Sequence, residues 1–351
     1  MKAMVLRKAG EPFVLEERPD PTPGPGEAVA RVLACGAGLT IQHVRAGRTD
    51  AAFPIIIGHE ITGEIVAVGP QTEAMQIIEP LREGDPVTCW FYLISGEDRW
   101  TRSDRPTIST RIRGHVGRQI DGGYAEYIKL PVQNFIKLPE ELNWRSQPAE
   151  AGVICDAIAT PYKVLRRGRV GPMDTVAVFG AGGGVGIHQI MMCKWARARV
   201  IAVEIAADKL AACRDAGADA VVDAGSEDVT EAILELTKGA GVDVAIDYVS
   251  STRTLEQGVG ALGIGGRLVT LGGSVGEPFS VNAKVMLRKE LELMGSRYCT
   301  RQEVIDSLAL VARGEVTPIV TETYPLEQAE HVHRRLEDGL VTGRAALIIG
   351  A

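Results

Sequence analysis

The sequence has few aromatic residues, no excess of basic charge and no long apolar run. Aromatic residues make up 5% of the 351 residues, and the formal net charge is −7. Nucleic acids and anionic membrane surfaces attract basic proteins, so neither is expected as the main partner. No uninterrupted apolar stretch reaches the roughly 20 residues that a membrane-spanning helix needs. The composition therefore indicates a globular protein. A small-molecule substrate is expected as its partner from the motifs described below.

The cysteines are few, and their spacing shows no pairing. No two of the six are separated by only two residues. Because a disulfide framework or a zinc knuckle needs close and regular spacing, neither is expected. The first residues are followed by charge and turn residues, and they lack the apolar core of a secretory signal. We expect a cytoplasmic protein whose cysteines are mostly small buried side chains.

The residue pattern changes near residue 174, which predicts two domains. Before about residue 150, short apolar strands such as residues 28–33 and 61–68 are separated by turns rich in Pro and Gly. This pattern is typical of a barrel-like β unit. Beyond residue 174, apolar strands alternate with helix-like stretches, which predicts a parallel sheet with helices on both faces. The apolar residues 345–349 are expected to rejoin the first domain as a strand.

A glycine-rich loop follows the apolar strand at residues 176–179 and opens a helix-like stretch. Glycines permit a tight turn and let backbone amides approach a pyrophosphate at the helix N-terminus. Glu204 ends the next apolar strand, 18 residues beyond Gly186. A carboxylate there accepts hydrogen bonds from ribose hydroxyls and repels the 2′-phosphate of NADP, and Lys209 is close enough to assist. We therefore predict a Rossmann domain that binds NAD(H). The loop residues expected to contact it are Gly180, Gly183, Gly184, Val185 and Gly186.

Two further motifs resemble the zinc-type alcohol dehydrogenases of the medium-chain dehydrogenase/reductase superfamily. Residues 58–69 match the family's Gly-His-Glu block and Val-rich strand, and residues 121–127 match its Asp-Gly-Gly-Phe-Ala-Glu-Tyr block. The resemblance spans nearly the whole chain and implies an α/β protein. It combines a GroES-like, barrel-type catalytic domain with a Rossmann domain built on a doubly wound parallel sheet, and the active site lies in the cleft between them. The expected domains are residues 1–157, 158–297 and a C-terminal return at 298–351. A homodimer or homotetramer is also implied.

The resemblance implies a catalytic zinc site, from which this sequence departs at one ligand. The position of the family's zinc-binding cysteine is Gly38, which has no donor atom, whereas His59 and the adjacent Glu60 are kept. Asp156 matches the third ligand position if Thr160 matches the family's cofactor-contacting threonine. A tetrahedral zinc site needs three firm protein ligands. We therefore expect no functional catalytic zinc, and any residual metal would bind His59, Glu60 and Asp156.

The stretch that matches the family's structural-zinc lobe, residues 95–109, contains no cysteine. Structural zinc is therefore expected to be absent. Trp90, Phe91 and Tyr92 follow the strand at Val87 and are expected to line the substrate pocket. An aromatic, mostly apolar pocket favours a hydrophobic or cyclic alcohol or ketone.

The family's proton relay is kept at Thr40 and His43, where the resemblance implies a hydroxyl and an imidazole that pass a proton through the nicotinamide ribose. Histidine titrates near neutral pH, so His43 suits a general base for alcohol oxidation. In the absence of zinc, Thr40 would hydrogen-bond the substrate oxygen directly. His59, protonated beside two carboxylates, would supply the missing positive charge.

Three functions are compatible with these motifs. The relay residues Thr40 and His43 favour an NAD(H)-dependent dehydrogenase that interconverts an alcohol and its ketone or aldehyde. The spacing of Gly180, Gly183 and Gly186 is similar to that of quinone reductase-like relatives, and relatives without zinc often reduce activated C=C bonds of the enone or quinone type. A non-catalytic NAD(H)-binding protein would bind the cofactor without turnover, and the retained relay argues against it.

Overall fold

The computed structural model describes residues 1–70, 80–272 and 278–350, and the chain divides into two units. The first unit comprises Met1–Asp156 and Thr300–Ala351, and the second comprises Ala157–Cys299. These bounds lie one and two residues from the domain boundaries expected from the sequence, which follow residues 157 and 297. Within the described ranges, no helix is both long enough and apolar enough to span a membrane.

Strands and helices are numbered along the whole chain. The strands of the first unit are β1 (Lys2–Leu6), β2 (Val14–Glu17), β3 (Glu27–Ala37), β4 (Ile55–Ile56), β5 (Glu60–Val68), β6 (Pro86–Cys89), β7 (Tyr92–Ile94), β8 (Ile112–His115), β9 (Tyr127–Pro131), β10 (Phe135–Lys137), β17 (Val320–Pro325) and β18 (Arg344–Ile348). Those of the second unit are β11 (Thr175–Phe179), β12 (Arg199–Glu204), β13 (Ala220–Asp223), β14 (Val242–Asp247), β15 (Leu262–Thr270) and β16 (Glu292–Gly295).

The helices alternate with these strands mainly in the second unit. The first unit contains α1 (Leu39–Arg45), α2 (Arg99–Arg102), α3 (Pro148–Val153), α10 (Arg301–Ala312) and α11 (Ala329–Glu337). The second contains α4 (Ala159–Gly168), α5 (Gly186–Trp195), α6 (Leu210–Asp215), α7 (Val229–Leu236), α8 (Thr252–Ala261) and α9 (Ala283–Lys289). Short 3₁₀ helices lie at Pro106–Ile108, Val132–Asn134, Ala207–Lys209 and Leu326–Gln328, and a π turn lies at Ile154–Ile158.

The main sheet of the first unit is completed by the C-terminal strand. Its order is β10-β6-β5-β3-β18-β17, with β9 also paired to β3. β18 runs antiparallel to β3, so that Ala345 lies opposite Ala37 and Ala346 lies opposite Gly36. This register brings Arg344, the first residue of β18, beside Gly38, which directly follows β3. Two residues far apart in sequence therefore become neighbours.

The second unit is built on a six-stranded parallel sheet. The strand order is β13-β12-β11-β14-β15-β16, and every pairing is parallel. The apolar strands pack into one core with side chains such as Phe179, Ile201 and Leu268, because helices cover both faces of the sheet. The order reverses between β11 and β14, where α/β sheets of this kind bind their ligands. The predicted α/β class and Rossmann-type sheet are confirmed.

The π turn at Ile154–Ile158 follows α3 directly and carries Asp156. Pro148 begins α3 at a position where its missing N–H costs no hydrogen bond. Gly152 lets α3 approach β5 closely, because a Cβ there would lie 2.8 Å from the carbonyl oxygen of Glu60. A π turn adds a residue to one turn of helix and changes the direction of the side chains it carries. Helix and turn together hold Asp156 against the start of β5.

Candidate active site

Four buried ionisable side chains meet in the first unit. His59 precedes β5, Glu60 begins it, Asp156 lies in the π turn and Arg344 begins β18. The exposed fraction is 2% for His59, 0% for Glu60, 6% for Asp156 and 5% for Arg344. Buried charges persist only when they are paired and hydrogen-bonded. The contacts among these four groups therefore decide what the site can do.

Arg344 is the cation that joins the two carboxylates. Its Nη2 atom lies 2.7 Å from Glu60 Oε1 and 3.2 Å from Asp156 Oδ2. His59 Nε2 lies 3.4 Å from the same Asp156 oxygen. Burial raises the pKa of Glu60 to about 8, an effect that Arg344 opposes and Asp156 reinforces. Burial alone would lower the pKa of Arg344, but Glu60 and Asp156 raise it, so the guanidinium stays charged.

Three residues of this cluster could hold a metal ion, but position 38 adds no further ligand. One donor atom each of His59, Glu60 and Asp156 lie within 4.8 Å of one another. Gly38 contributes no donor, and a Cβ at that position would lie 2.9 Å from Arg344 Cζ and even nearer to Nη1. The guanidinium therefore takes the space that a cysteine side chain at position 38 would need. Because this cation already bridges the carboxylates, a metal ion would have to displace it.

Phe91 packs against this cluster. Its ring stacks on His59, with centroids 4.4 Å apart and planes inclined by 17°. Tyr92 makes an edge contact with Phe91 at 4.8 Å and another with His115 at 4.7 Å, and Trp90 stacks on Tyr92 at 5.7 Å. Of the three aromatic residues predicted to line the pocket, Phe91 therefore contacts the ionisable cluster. Trp90 and Tyr92 belong to the same buried aromatic group.

Thr40 and His43 lie three residues apart on α1 and so project from the same side of the helix. Thr40 is exposed and His43 is partly buried. His43 Nδ1 lies 3.3 Å from Arg48 Nη1. Burial lowers the pKa of His43 and the Arg48 cation lowers it further, while Glu337 has the opposite effect. The imidazole is therefore neutral near pH 7 and can accept a proton.

A hydrogen-bond chain that no sequence motif indicates holds α1 against α11. Gln42 Nε2 donates to Glu337, and Gln42 Oε1 lies 2.7 Å from His333 Nδ1. The other ring nitrogen of His333 lies 2.9 Å from the hydroxyl oxygen of Tyr124. Burial lowers the pKa of His333 to about 3, so the ring is neutral. No motif in the sequence indicates this role for His333, because a histidine on an amphipathic helix gives no local sign of such a partner.

Asp98 organises the stretch that matches the family's structural-zinc lobe. Its Oδ1 atom accepts hydrogen bonds from the backbone N–H groups of Trp100 and Thr101, each at 2.9 Å. Its Oδ2 atom accepts from the Ser109 hydroxyl at 2.9 Å and from the Thr110 N–H at 2.7 Å. These hydrogen bonds outweigh the opposing effect of desolvation and lower the pKa of Asp98. A carboxylate thus ties together both ends of a segment that contains no cysteine.

The glycine loop of the second unit connects β11 to the N-terminus of α5. Gly180 has a positive φ of 70°. A Cβ on Gly186 would lie 2.9 Å from Ala181 Cα and closer still to the Gly180 carbonyl oxygen, so only glycine fits this position. The first backbone N–H groups of a helix are available to an anion. The loop and the helix end therefore fit the pyrophosphate of a dinucleotide.

Glu204, the last residue of β12, is fixed against this loop. Its Oε2 atom accepts a hydrogen bond from Gly182 N–H at 2.8 Å, and its Oε1 atom accepts from Ile205 N–H at 2.9 Å. Lys209 is buried beside Gly182, where its Cβ would lie 2.7 Å from a Cβ on that glycine. The structure thus brings together the predicted loop, Glu204 and Lys209. Thr160 is buried on α4 of the same unit.

Comparison with known proteins matches both units to one family. Residues 24–140 match the alcohol dehydrogenase GroES-like domain, and residues 184–313 match the zinc-binding dehydrogenase domain. The chain is 30% identical to an NAD-dependent alcohol dehydrogenase of Sulfurisphaera tokodaii, over 99% of the chain and 100% of the relative. The sequence similarity therefore covers nearly the full length of both proteins.

Solved structures show the same relationship. The crystal structure of AibC is 34% identical and has a TM-score of 0.89, covering 100% of this chain and 96% of AibC. The alcohol dehydrogenase of Aeropyrum pernix is 30% identical and has a TM-score of 0.88, covering 99% of this chain and 100% of that protein. The chain therefore belongs to the zinc-type, NAD-dependent alcohol dehydrogenases of the medium-chain dehydrogenase/reductase superfamily, with a GroES-like domain and a Rossmann domain.

Proposed function

We propose that this enzyme interconverts a hydrophobic or cyclic alcohol and its ketone or aldehyde by hydride transfer with NAD(H), without a catalytic zinc ion. The observation that best supports a metal-free mechanism is that the guanidinium of Arg344 forms ion pairs with Glu60 and Asp156. It also takes the space beside Gly38. Breaking a buried ion pair by removing one partner is costly, about 3–5 kcal/mol. A zinc ion would incur such a cost and would gain no cysteine ligand in return.

Residues of the second unit would hold the cofactor. Backbone amides of the glycine loop and of the start of α5 would bind the pyrophosphate, and Glu204 would accept hydrogen bonds from the adenosine ribose hydroxyls. A 2′-phosphate would meet this buried carboxylate, which favours NAD(H) over NADP(H). When bound, NAD(H) supplies the hydride acceptor or donor. The residues proposed to contact it are Thr160, Gly180, Gly183, Gly184, Val185, Gly186, Glu204 and Lys209.

Residues of the first unit would handle the substrate oxygen and its proton. Thr40 is proposed to hydrogen-bond the oxygen and accept the hydroxyl proton during alcohol oxidation, and His43 is proposed as the base that finally receives it. The neutral state of His43 and its position on the same side of α1 as Thr40 support these roles. His59, held between Asp156 and Phe91, was expected to supply positive charge. Arg344 is the better candidate for that charge, because a guanidinium is protonated at every physiological pH.

The aromatic group around Phe91 supports an apolar substrate. Phe91 stacks on His59 and so lies beside the proposed site, with Trp90 and Tyr92 packed next to it. Ligand pockets of this composition bury apolar ligands and use a few polar groups to orient them. We therefore propose that a ring or a branched alkyl group of the alcohol contacts Phe91.

Product analysis on matched cyclic substrates tests the proposed function. Cyclohexanol with NAD⁺ is expected to yield cyclohexanone. NADP⁺ is expected to be at least about tenfold poorer in kcat/KM, because its 2′-phosphate would meet the carboxylate of Glu204; a factor of ten corresponds to about 1.4 kcal/mol. 2-Cyclohexenone with NADH should yield 2-cyclohexenol. If it yields cyclohexanone instead, the enzyme is a C=C reductase. NADH binding without turnover of any cyclic alcohol, ketone or enone would indicate a non-catalytic protein.

Replacing Arg48 with Gln is expected to move the acid limb of the pH profile to higher pH. Alcohol oxidation requires neutral His43, so kcat/KM should fall as the pH drops through the pKa of this residue. The Arg48 cation lowers that pKa, whereas Glu337 raises it. Without Arg48, the repulsion is lost and the charge of Glu337 is no longer balanced by a neighbouring cation, and both changes raise the pKa of His43. The profile of kcat/KM against pH measures the shift.

The matched control is Arg48→Lys, which keeps a positive charge near His43 and near Glu337. Its acid limb should remain close to that of the unmodified enzyme. An acid limb that is identical in Arg48→Gln and Arg48→Lys would show that His43 is not the group titrating in kcat/KM.

A further inference from the structure

We propose that Tyr124 and His333 are positioning residues for alcohol oxidation. Together with Gln42 they form a fully buried chain of hydrogen bonds that holds α1 against α11. α1 carries Thr40 and His43, which are proposed to take up the hydroxyl proton of the alcohol. The roles of those two residues in proton transfer rest on the proposed function, whereas the effect of the buried chain on α1 is measurable without turnover.

α1 is too short and too poorly capped to keep its position alone. It contains seven residues, about two turns, and isolated helices shorter than roughly a dozen residues are unstable in water. Its N-cap residue, Gly38, makes no side-chain hydrogen bond to the helix, and the first turn has no acidic residue to interact with the helix dipole. The helix therefore depends on tertiary contacts. A shift of α1 would displace Thr40 and His43 together.

The buried chain supplies such contacts. Tyr124, His333 and Gln42 each have an exposed fraction of 0%. The Tyr124 hydroxyl oxygen lies 2.9 Å from His333 Nε2, and His333 Nδ1 lies 2.7 Å from Gln42 Oε1. The Phe13 ring packs against the His333 ring with centroids 5.0 Å apart. Because a buried polar group is stable only when it is hydrogen-bonded, these contacts fix the three side chains relative to one another.

The end of the chain at Glu337 sets the direction of every hydrogen bond. Hydrogen bonds from Arg48 and Gln42 lower the pKa of Glu337, so its carboxylate is ionised and only accepts. Gln42 therefore turns its amide nitrogen toward Glu337 and its oxygen toward His333, whose Nδ1 must donate. Burial lowers the pKa of His333 to about 3, so the neutral ring accepts at Nε2 from the Tyr124 hydroxyl. A fully satisfied buried network with one direction specifies a single arrangement.

Glu337 also connects the buried chain to the proposed base. Arg48 donates to this carboxylate, and Arg48 Nη1 lies 3.3 Å from His43 Nδ1. Gln42 is the residue directly before His43 on α1. Loss of the chain would thus move His43 in two ways, by shifting the helix and by releasing Glu337 and Arg48. A misplacement of about 1 Å can lower the rate of a reaction roughly 10²-fold.

Substitution of His333 tests the positioning role. His333→Leu removes both hydrogen bonds and should lower kcat for cyclohexanol oxidation by roughly 10–10², with an unchanged KM for NAD⁺. His333→Asn keeps an N–H donor close to the place of Nδ1 and should recover most of this loss. Rates are compared where kcat no longer changes with pH, so that a shifted pKa does not contribute. Because a displaced base slows proton transfer, D₂O should lower kcat of His333→Leu more than that of the unmodified enzyme.

Tyr124→Phe is a milder variant for which folding is not in question. The family block that matches residues 121–127 has Phe at this position, so the ring fits and only the hydroxyl is lost. The change leaves His333 Nε2 buried without its donor. We expect kcat to fall by roughly two- to tenfold, the equivalent of one hydrogen bond. An unchanged kcat together with unchanged hydrogen exchange in α1 would overturn the proposal.

Hydrogen exchange of the backbone amides of residues 39–46 measures the stability of α1 directly. Exchange should be at least about tenfold faster in His333→Leu than in the unmodified enzyme, because local opening depends on the contacts that hold the segment. The control Asp98→Ala removes the carboxylate that binds the N–H groups of Trp100 and Thr110 in the same unit. It should lower the Tm while leaving kcat, the D₂O effect and exchange in α1 unchanged.

The outcomes separate this proposal from the proposed function. Equal kcat values for His333→Leu and His333→Asn would show that the hydrogen bond to Gln42 positions nothing. A loss of kcat in His333→Leu without faster exchange in α1 would also contradict the proposal. If the unmodified enzyme oxidises no alcohol, the proposed function fails. In that case hydrogen exchange still decides whether the buried chain holds α1.

Discussion

Replacing Thr40 with Val is expected to lower kcat for alcohol oxidation by about two to four orders of magnitude, the range typical of a lost general acid–base contact. Val preserves the branched shape of Thr but removes its hydroxyl. Thr40 is exposed in the first turn of α1, so the substitution leaves the buried core unchanged. Steady-state kinetics and a thermal melt together measure the effect. We expect a large loss of kcat with an almost unchanged Tm.

Thr40→Ser is the matched control, because it keeps the hydroxyl at the same position. It should retain most of the activity, within about tenfold of the unmodified enzyme, which corresponds to 1.4 kcal/mol. Equal kcat values for Thr40→Val and Thr40→Ser would remove Thr40 from the proton path. His43 would then have to receive the hydroxyl proton without the help of Thr40.

Replacing Gly186 with Ala is expected to disrupt the glycine loop and weaken NAD(H) binding by at least about tenfold. A Cβ at this position would lie 2.9 Å from both Ala181 Cα and the Gly180 carbonyl carbon, which are backbone atoms that cannot rotate away. Overpacking of this kind costs about 1–3 kcal/mol. The loop must therefore shift away from the N-terminus of α5. NADH titration and a thermal melt should show weaker binding together with a Tm lower by several degrees.

Gly183→Ala is the matched control in the same loop. The nearest heavy atom to a Cβ there is the Gly180 carbonyl oxygen at 3.4 Å, an ordinary contact. This variant should keep the Tm of the unmodified enzyme. If the pyrophosphate lies over Gly183 as proposed, NADH affinity should still fall. Unchanged stability and affinity in Gly186→Ala would show that the loop neither requires glycine at that position nor binds the cofactor.

The second unit could be predicted from sequence because its signals are local. A buried parallel sheet requires continuous apolar strands, and a glycine loop between such a strand and a helix has few structural alternatives. The position of Glu204 depends only on the length of one β-strand–helix–β-strand segment. The structure accordingly places Glu204 and Lys209 against the loop.

The buried ion pairs of Arg344 with Glu60 and Asp156 in the first unit could not be predicted in this way. Arg344 is separated from Glu60 by 284 residues and from Asp156 by 188 residues. A single arginine before an apolar strand carries no motif, and its contacts depend on the register of β18 against β3. One signal was available: Gly38 replaces the expected ligand while both carboxylates are kept. Two buried carboxylates without a metal ion require another cation, and a search for that cation among the residues of the C-terminal strand would have found Arg344.

Elemental analysis of the purified enzyme, combined with turnover before and after chelation, tests the central claim most directly. That claim is alcohol oxidation in a family of zinc enzymes without catalytic zinc. We predict less than stoichiometric zinc and an undiminished kcat with cyclohexanol and NAD⁺ after exhaustive treatment with a chelator. One zinc per chain, with activity that is lost on chelation and restored by ZnCl₂, would contradict the account. In that case His59, Glu60 and Asp156 would bind the metal despite Arg344.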